Sequence, residues 1–257
     1  MTIEATLVDL ACRLADTAGR IAMSHFGTAL DAEKKADASP VTIADRQAEA
    51  AMREMIEAEV PDHGIFGEEY GQVRTDAQYV WVLDPIDGTK SFVIGKPLFG
   101  TLIALLRDGK PVIGIIDCSA LNERWLGVDG RPSTHNGNTI ATRTCENLED
   151  AWMASTSPGM FTGGTEAAFA KLKAATRQTV WGGDCHSYGL LASGNLDLVA
   201  EAGMNPYDYL ALVPVIEGAG GMITDWNGAA LGLSSDGTVL AAGDAAMHKA
   251  AVKLLTG

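Results

Sequence analysis

The sequence predicts an α/β or α+β fold with an antiparallel first sheet and a mixed second sheet. Helical patterns occupy the first sixty residues, apolar runs separated by turn signals occupy residues 79–128, and strand and helix patterns alternate thereafter. Because no repeat, low-complexity tract or obvious linker interrupts the chain, we expect one domain over residues 1–257. Within it we expect an N-terminal lobe of about residues 1–145 and a C-terminal lobe of about residues 146–257.

The first two predicted elements are helices. Apolar side chains recur three, four or seven residues apart up to Phe26, so the first helix is amphipathic and should end near Gly27. The polar stretch EKKADASP follows it. Thr42 or Asp45 could start the second helix, and Pro61 should close it.

The apolar run at residues 80–83 predicts a buried strand. Pro85 should end this strand, because proline cannot donate to a sheet ladder. Beyond it, Gly88 permits a tight turn, and Thr89 could cap a helix that begins near Ser91.

Further strands and helices complete the predicted fold. Asp108-Gly109 is a hairpin signal between two apolar runs. Residues 63–69 predict a short strand that runs into a turn, and further strands are predicted over residues 99–107, 111–117 and 123–128. The second half predicts, in order, strand AWMAS, helix TEAAFAKLKA, strand QTVW, helix HSYGLLAS ended by Gly194, strand LDLVA, a helix from about Tyr207 to Ala219, strands around Met222 and Val239, and a helix from Ala245.

The charge of the chain limits its partners. Lys and Arg total 19 against 33 Asp and Glu, which gives a net charge of −14. A strongly acidic surface argues against nucleic acid or an anionic membrane as a partner. An anionic substrate could bind only where local cations offset this field.

Cysteine usage and the N-terminal segment predict the compartment. Four widely spaced cysteines form no CxxC pair, which favours reduced thiols over a disulfide framework. The N-terminal segment MTIEATLVDL lacks the features of a signal peptide, and no apolar run approaches membrane-spanning length. We therefore expect a cytoplasmic protein.

Acidic residues follow predicted strands at several points. Asp84 and Asp87 come directly after the apolar run in WVLDPIDGT, Glu68 and Glu69 follow GIF, and Asp208 lies at a predicted helix start. Carboxylates this close repel each other unless a cation lies between them. Hard oxygen ligands suit Mg²⁺, with Mn²⁺ as an alternative, and the histidines lack zinc spacing. The alternative is that these acids are solvated loop residues or, for Asp208, only a helix cap.

Three motifs follow one another along the chain: GEE at residues 67–69, DPIDGT at 84–89, and NPYD at 205–208 with GAGG at 218–221. In sequence and in order they resemble the motifs of the inositol monophosphatase family of Mg²⁺-dependent, lithium-sensitive phosphatases. The resemblance covers nearly the whole chain, including the segment from Lys35 to Asp45. It implies a layered α-β-α-β-α sandwich, two or three metal ions per site, and the homodimer that is common in the family.

The resemblance also assigns roles to residues. It implies that Asp84 bridges two ions, that Thr89 and Asp45 orient an attacking water near Glu68, and that backbone amides of Gly88 and Thr89 hold phosphate oxygens. Lys35 is either a positive charge near the entrance or an ordinary solvated lysine. The implied metal contacts are Glu68, Asp84, the Ile86 carbonyl, Asp87 and Asp208. The expected substrate contacts are Glu68, Ile86, Asp87, Gly88, Thr89, Gly183, Asp184, Glu201 and Asp208.

The segment GGDCHSYGLLASG looks like the histidinol-phosphatase branch of the family. Asp184 within it, together with Glu201, would suit an alcohol that carries a positive charge, as histidinol does. The alternative is that Asp184 only caps a helix that starts near His186. His186 itself is expected to cap or pack rather than to act as a base, and Cys185 to be a small buried residue.

The expected partner is a small phosphorylated metabolite, and histidinol phosphate is the favoured substrate. Inositol 1-phosphate and the phosphates of 3′-nucleotides or sugar bisphosphates are alternatives within the same chemistry. A non-catalytic regulator that responds to metal or phosphate is an alternative of another class. Intact acids at the metal motifs favour an enzyme.

Overall fold

The computed structural model describes residues 3–27, 33–34, 40–41 and 43–257. The predictions for Lys35 and Thr42 lie outside these residues. The elements, in chain order, are α1 (Ala5–His25), β1 (Glu33–Lys34), β2 (Pro40–Val41), α2 (Ile43–Glu59), β3 (Gly64–Gly67), β4 (Gly71–Val73), β5 (Tyr79–Asp87), α3 (Thr89–Val93), β6 (Gly100–Arg107), β7 (Lys110–Cys118), β8 (Glu123–Val128), β9 (Thr134–His135), β10 (Asn138–Thr139), β11 (Trp152–Ser155), α4 (Gly164–Ala175), β12 (Gln178–Trp181), α5 (Cys185–Ala192), β13 (Leu198–Glu201), α6 (Pro206–Tyr209), α7 (Leu212–Gly218), β14 (Met222–Thr224), β15 (Val239–Ala242) and α8 (Ala245–Thr256).

Five layers follow from the alternation of apolar side chains along the strands. In the first sheet, Trp81 and Leu83 pack against α1 and α2, whereas Val80 and Val82 pack toward α5 and α7. In the second sheet, Val199 faces α5 and α7, and its neighbour Leu198 faces α4 and α8. The predicted α-β-α-β-α sandwich is thereby confirmed, with α5 and α7 between the two sheets.

The first sheet has the strand order β10-β9-β8-β7-β6-β5-β3-β4. Its described pairs are antiparallel except β3 and β5, which run parallel with Gly67 opposite Leu83. The expectation of an antiparallel sheet is therefore wrong at this pair. The short strand β4, which pairs antiparallel with β3, had no apolar pattern that could predict it.

Strand β5 continues through Pro85 to Asp87, so the prediction that Pro85 ends it is wrong. The ladder to β6 pairs Asp84 with Leu102 and then Asp87 with Gly100, which marks a bulge. Proline is tolerated at a bulge because no ladder donor is needed there. The Pro85 carbonyl instead accepts a hydrogen bond from Thr101 Oγ1 at 2.8 Å.

The turn after β5 also differs from the prediction. Helix α3 begins at Thr89 rather than near Ser91, and Gly88 precedes it in the left-handed region with φ 84°. A residue with a side chain is strained in this conformation, which explains the glycine. Thr89 Oγ1 donates to the Ile86 carbonyl at 3.1 Å instead of capping a later helix.

The second sheet, of order β12-β11-β13-β15-β14, is mixed, as predicted. Strand β11 runs parallel to β12 and β13, and β15 runs antiparallel to β13 and β14. The single helix expected at about residues 207–219 is divided into α6 and α7. Pro214 lacks the N–H that would bond the Leu210 carbonyl, so the break falls at residues 210–211.

The two sheets take their strands from residues 64–139 and 152–242. The proposed division into two lobes remains a prediction. Among the described residues, every helix is too short or too polar to span a bilayer.

Candidate metal-dependent active site

The parallel pairing of β3 with β5 brings two acidic segments to one edge of the first sheet. Gly67 ends β3 opposite Leu83, and the amide of Glu68 donates to the Leu83 carbonyl at 3.2 Å. Glu68 therefore follows its strand beside Asp84. Ligand sites commonly form at the carboxyl ends of neighbouring parallel strands.

Three aspartates form a cluster at this edge. One carboxylate oxygen each from Asp84, Asp87 and Asp208 lies within 4.8 Å of the others. Asp208 arrives from α6, where its Oδ2 accepts the amide of Asn205 at 2.7 Å in a capping box. Asp208 therefore caps its helix and also belongs to the cluster.

The electrostatics of the cluster favour a cation. Burial raises the pKa of Asp84 well above its usual range, and the nearby charges of Glu68, Asp87 and Asp208 raise it further. The pKa of Asp87 is raised in the same way, by burial first and then by Asp184 and Asp208. Burial also raises the pKa of Asp208 to about 7, against a lowering contribution from the Asn205 amide. Repulsion of this kind is relieved when a cation binds.

The donor set fits a hard divalent ion. Asp84 is 2% exposed, and its Oδ1 has no hydrogen-bond partner among the residues that the structure describes. Within the same residues, no Lys, Arg or His forms an ion pair with Asp84, Asp87 or Asp208. Oxygen ligands of this type suit Mg²⁺ or Mn²⁺.

Other predicted residues of the site lie at the same edge of the first sheet, which is called the metal edge because it carries the cluster of Asp84, Asp87 and Asp208. Asp45, in the first turn of α2, is 1% exposed, and its charge contributes to the raised pKa of Asp84. The Ile86 carbonyl lies in the bulge, within hydrogen-bonding distance of Thr89 Oγ1. A Cβ added at Gly88 would lie 3.1 Å from Asp184 Cγ, so this turn directly adjoins Asp184.

A cavity of about 160 Å³ joins the cluster to the second sheet. Asp87 and Asp208 of the cluster line it together with Asp184 and Glu201. The further lining residues are Thr156, Met160, Cys185, Tyr188, Gly203 and Met204. Gly183 is not among the residues that line it. A Cβ added at Gly183 would overlap Ser187 Oγ, so close packing against Ser187 explains the glycine at this position.

Asp184 does not act as a side-chain cap. It precedes α5 with φ 45°, and its carboxylate makes no hydrogen bond to the first turn of that helix. Asp184 Oδ2 instead accepts from Ser91 Oγ of helix α3 at 3.3 Å. The alternative that Asp184 only caps a helix is therefore wrong. Burial raises the pKa of Asp184, opposed by Ser91 and by the charges of Lys96 and Lys90.

Glu201, at the end of β13, is 2% exposed. Its carboxylate accepts from the Thr156 amide at 2.8 Å and from Tyr188 Oη at 3.0 Å. Burial raises its pKa to about 7, although both hydrogen bonds lower it. Tyr188 was missed by the sequence analysis, because a tyrosine inside an apolar helix pattern gives no sign that it bonds a distant carboxylate.

The neighbouring acids and His186 have structural partners. The side chain of Glu69 is 4% exposed and faces Arg46 at 3.7 Å. The low exposure of this side chain contradicts the alternative that Glu69 is a solvated loop residue, and it fits a role in supporting the site. His186 Nε2 lies 2.8 Å from Glu123 Oε2, and its ring packs edge-on against Trp125, so its expected packing role is confirmed. Cys185 is buried, as expected, and its amide donates to Asp87 Oδ2 at 2.6 Å.

A layered sandwich with this buried cluster of carboxylates defines a class of metal-dependent phosphatases. The model of the inositol monophosphatase family matches residues 4–256, and the chain belongs to that family. It is 49% identical over 251 residues to the bifunctional phosphatase IMPL2, chloroplastic, of Arabidopsis thaliana, covering 94% of this chain and 72% of the relative. It is 33% identical over 236 residues to a histidinol-phosphatase of Chlorobaculum parvum, covering 91% of each chain.

A solved structure shares the fold closely. An inositol monophosphatase from Zymomonas mobilis superposes with a TM-score of 0.91 and 48% identity, covering 99% of this chain and 100% of that one. The chain is therefore a phosphatase of a metal-dependent family.

Proposed function

We propose that this chain is a histidinol-phosphate phosphatase, which converts histidinol phosphate and water to histidinol and inorganic phosphate. The carboxylates of Asp184 and Glu201, which border one cavity together with Asp87 and Asp208, carry the proposal. A carboxylate facing a desolvated ammonium group forms a charge-assisted hydrogen bond. Histidinol brings such a group, whereas inositol brings only hydroxyls. The name of the relative from Chlorobaculum parvum supports the same substrate.

We propose two or three Mg²⁺ ions as the cofactor, with Mn²⁺ as a substitute. Glu68, Asp84, the Ile86 carbonyl, Asp87 and Asp208 would hold them. Bound divalent ions would neutralise the phosphate charge and lower the pKa of a water molecule. This chemistry needs no protein nucleophile.

Residues beside the ligands orient the reactants. In the proposal, Thr89 and Asp45 direct the attacking water near Glu68, and the amides of Gly88 and Thr89 bind phosphate oxygens. The hydrogen bond from Thr89 Oγ1 to the Ile86 carbonyl supports this role, because it fixes the hydroxyl beside the metal edge.

Thr89→Ala tests the water-orienting role. We expect kcat to fall by about a hundredfold with little change in KM, because proton handling in the transition state is lost while substrate binding remains. Steady-state kinetics at saturating Mg²⁺ measures both constants. A change confined to KM would assign Thr89 to phosphate binding instead.

Inositol 1-phosphate is a second candidate substrate, because the similar Zymomonas mobilis structure is described as an inositol monophosphatase. A phosphate-release panel with Mg²⁺ separates the candidates. It compares histidinol phosphate, inositol 1-phosphate, fructose 1,6-bisphosphate and adenosine 3′,5′-bisphosphate at equal concentrations. We expect the highest kcat/KM for histidinol phosphate. Faster hydrolysis of inositol 1-phosphate would reject the assignment, and no hydrolysis of any ester would favour a regulator.

A homodimer in the cytoplasm completes the proposal. The strongly acidic net charge of −14 supports a small metabolite rather than nucleic acid or an anionic membrane as the partner. Light scattering coupled to size exclusion measures the oligomeric state directly.

A further inference from the structure

We propose that Glu49 is a positioning residue for the metal site. Its buried carboxylate holds the turn after β3, so that Glu68 leaves the strand beside Asp84. The inference rests on the proposed role of Glu68 as a metal ligand. Glu49 lies on α2, outside every motif that the sequence analysis selected.

The carboxylate of Glu49 is fully buried and accepts three hydrogen bonds. Its Oε2 accepts the amide of Glu69 at 2.6 Å, and its Oε1 accepts the amide of Tyr70 at 3.1 Å. Oε1 also accepts Arg53 Nε at 2.7 Å, one helical turn along α2. Arg53 Nη2 then donates to the Gly71 carbonyl. One ion pair on α2 therefore binds three successive residues of the turn, beginning directly after Glu68.

The residue before Glu68 is held from the same side. A Cβ added at Gly67 would overlap Glu49 Oε1, so the strand backbone rests directly on the carboxylate. The amide of Glu68 is bonded to the Leu83 carbonyl on β5. The backbone of Glu68 is thus fixed on both sides, by Glu49 and by the strand that carries Asp84.

A buried ion pair alone is a weak source of stability, because its desolvation offsets much of its attraction. Here both acceptor oxygens bind the backbone of the turn rather than solvent. The groups that support a metal ligand commonly affect metal affinity by 10- to 100-fold. A positioning role therefore predicts an effect on metal binding as well as on folding.

Glu49→Gln tests this role, because the amide keeps the size of the side chain but replaces one acceptor oxygen with a donor. We expect Mg²⁺ to bind about tenfold more weakly by calorimetry on metal-free protein without substrate. The Mg²⁺ concentration for half-maximal phosphate release should rise by the same factor. At saturating Mg²⁺ we expect kcat to stay within about threefold of the wild type.

Glu57→Gln is the matched control. Glu57 lies on the same helix and accepts from Arg74 Nη2 at 2.6 Å, but this pair is exposed. We expect its Mg²⁺ affinity to match the wild type. A lower melting temperature for Glu49→Gln with unchanged Mg²⁺ affinity would show that Glu49 only stabilises the fold, and would overturn the inference.

Two further variants keep the test decisive. Arg53→Lys keeps the positive charge but loses the fork that joins Glu49 to the Gly71 carbonyl, so a smaller loss of Mg²⁺ affinity is expected even if Glu49→Gln does not fold. Glu68→Gln is the reference variant, because it changes the proposed metal ligand itself. If Glu68→Gln leaves Mg²⁺ binding unchanged, the proposed metal assignment fails. If only Glu49→Gln and Arg53→Lys leave it unchanged, the positioning role fails alone.

Discussion

Two buried aspartates, one in each sheet region, have opposite surroundings. Asp197, directly before β13, accepts two hydrogen bonds from Arg143 at 2.7 Å each and one from the Trp152 amide at 2.8 Å. Asp84, in β5, has no cationic partner among the described residues, and its nearest charges are other acids. The two side chains are equally inaccessible, with 2% exposure for each.

Their pKa values move in opposite directions as a result. Burial opposes ionisation of Asp197, but the hydrogen bonds from Arg143 and Trp152 outweigh it and lower its pKa. Burial raises the pKa of Asp84, and its acidic neighbours add to the effect. A buried acid with its own cation stabilises the folded chain, whereas a buried acid among acids destabilises it until a cation binds.

Asp84→Asn should give the largest effect, and it separates function from stability. We expect kcat to fall by at least about a thousandfold at saturating Mg²⁺, because the role proposed for Asp84 as a metal ligand needs an anionic carboxylate. In EDTA the variant should melt at the wild-type temperature or above, since one repelled charge is gone. Near-normal turnover would contradict the metal assignment, and a large loss of stability in EDTA would contradict the comparison.

Asp184→Ala should affect one substrate selectively. A charge-assisted hydrogen bond contributes about 1.5–3 kcal/mol, so kcat/KM for histidinol phosphate should fall by roughly ten- to a hundredfold. Glu201→Gln should cause a smaller loss, because an amide oxygen still accepts from an amine. Glycerol 2-phosphate, a small neutral ester, serves as the control substrate. Equal losses on both esters would assign Asp184 to the structure of the site and not to specificity.

Asp197→Asn is the counterpart in the second sheet. It should lower the free energy of unfolding by about 1–2 kcal/mol, a modest value because the Arg143 side chain remains partly in solvent. Phosphate release should stay close to wild type, since Asp197 does not border the cavity. Chemical denaturation with and without Mg²⁺ measures the change. If Asp197→Asn loses turnover but keeps its stability, Asp197 serves function rather than folding, and the comparison with Asp84 fails.

The pH dependence of stability should be the smallest effect. Burial raises the pKa of both Asp208 and Glu201 to about 7 in the folded chain, above their usual values of 3.8 and 4.5. The folded state therefore binds more protons, and the stability that these groups contribute is present below pH 4 and is lost as the pH rises through about 7.

Metal-free protein should therefore melt a few degrees lower at pH 8 than at pH 6, and Mg²⁺ should raise the melting temperature more at pH 8, because protons compete with the metal. Thermal melts in EDTA and in Mg²⁺ at both values measure this. In Asp208→Asn the difference between the two pH values should shrink. If the difference in melting temperature between pH 6 and pH 8 is unchanged in this variant, groups other than Asp208 dominate the pH dependence of stability.

The metal edge was predictable from sequence because much of it is local. Asp84 and Asp87 lie in one short motif, so the chain itself keeps them close, whatever the rest of the fold does. The course of β5 through Pro85 was not predictable, because it depends on the neighbouring strand β6. There the Thr101 hydroxyl donates a hydrogen bond to the Pro85 carbonyl at the bulge.

The residues that we propose to contact the substrate were only partly predictable. Asp184 could be read either as a helix cap or as a contact, and the choice depends on Ser91, which is 93 residues away along the chain. Glu49 was missed altogether, because an acid within a helix is usually exposed. Its burial results from the turn after β3, which packs over α2 only in the folded chain.

The bulge in β5 has a consequence for protein engineering. In a regular strand, residues three apart point to opposite faces, so Asp84 and Asp87 share a site only because the bulge adds a residue to the strand. Strand β6 accommodates it with Gly100, where a Cβ would lie 2.7 Å from Cys185 Sγ, and with Thr101, which bonds the Pro85 carbonyl. The six letters DPIDGT would therefore lose their geometry if grafted onto a foreign strand. A transplant would need the paired strands β5 and β6, their connection through α3, and the start of helix α5 that contacts Gly100.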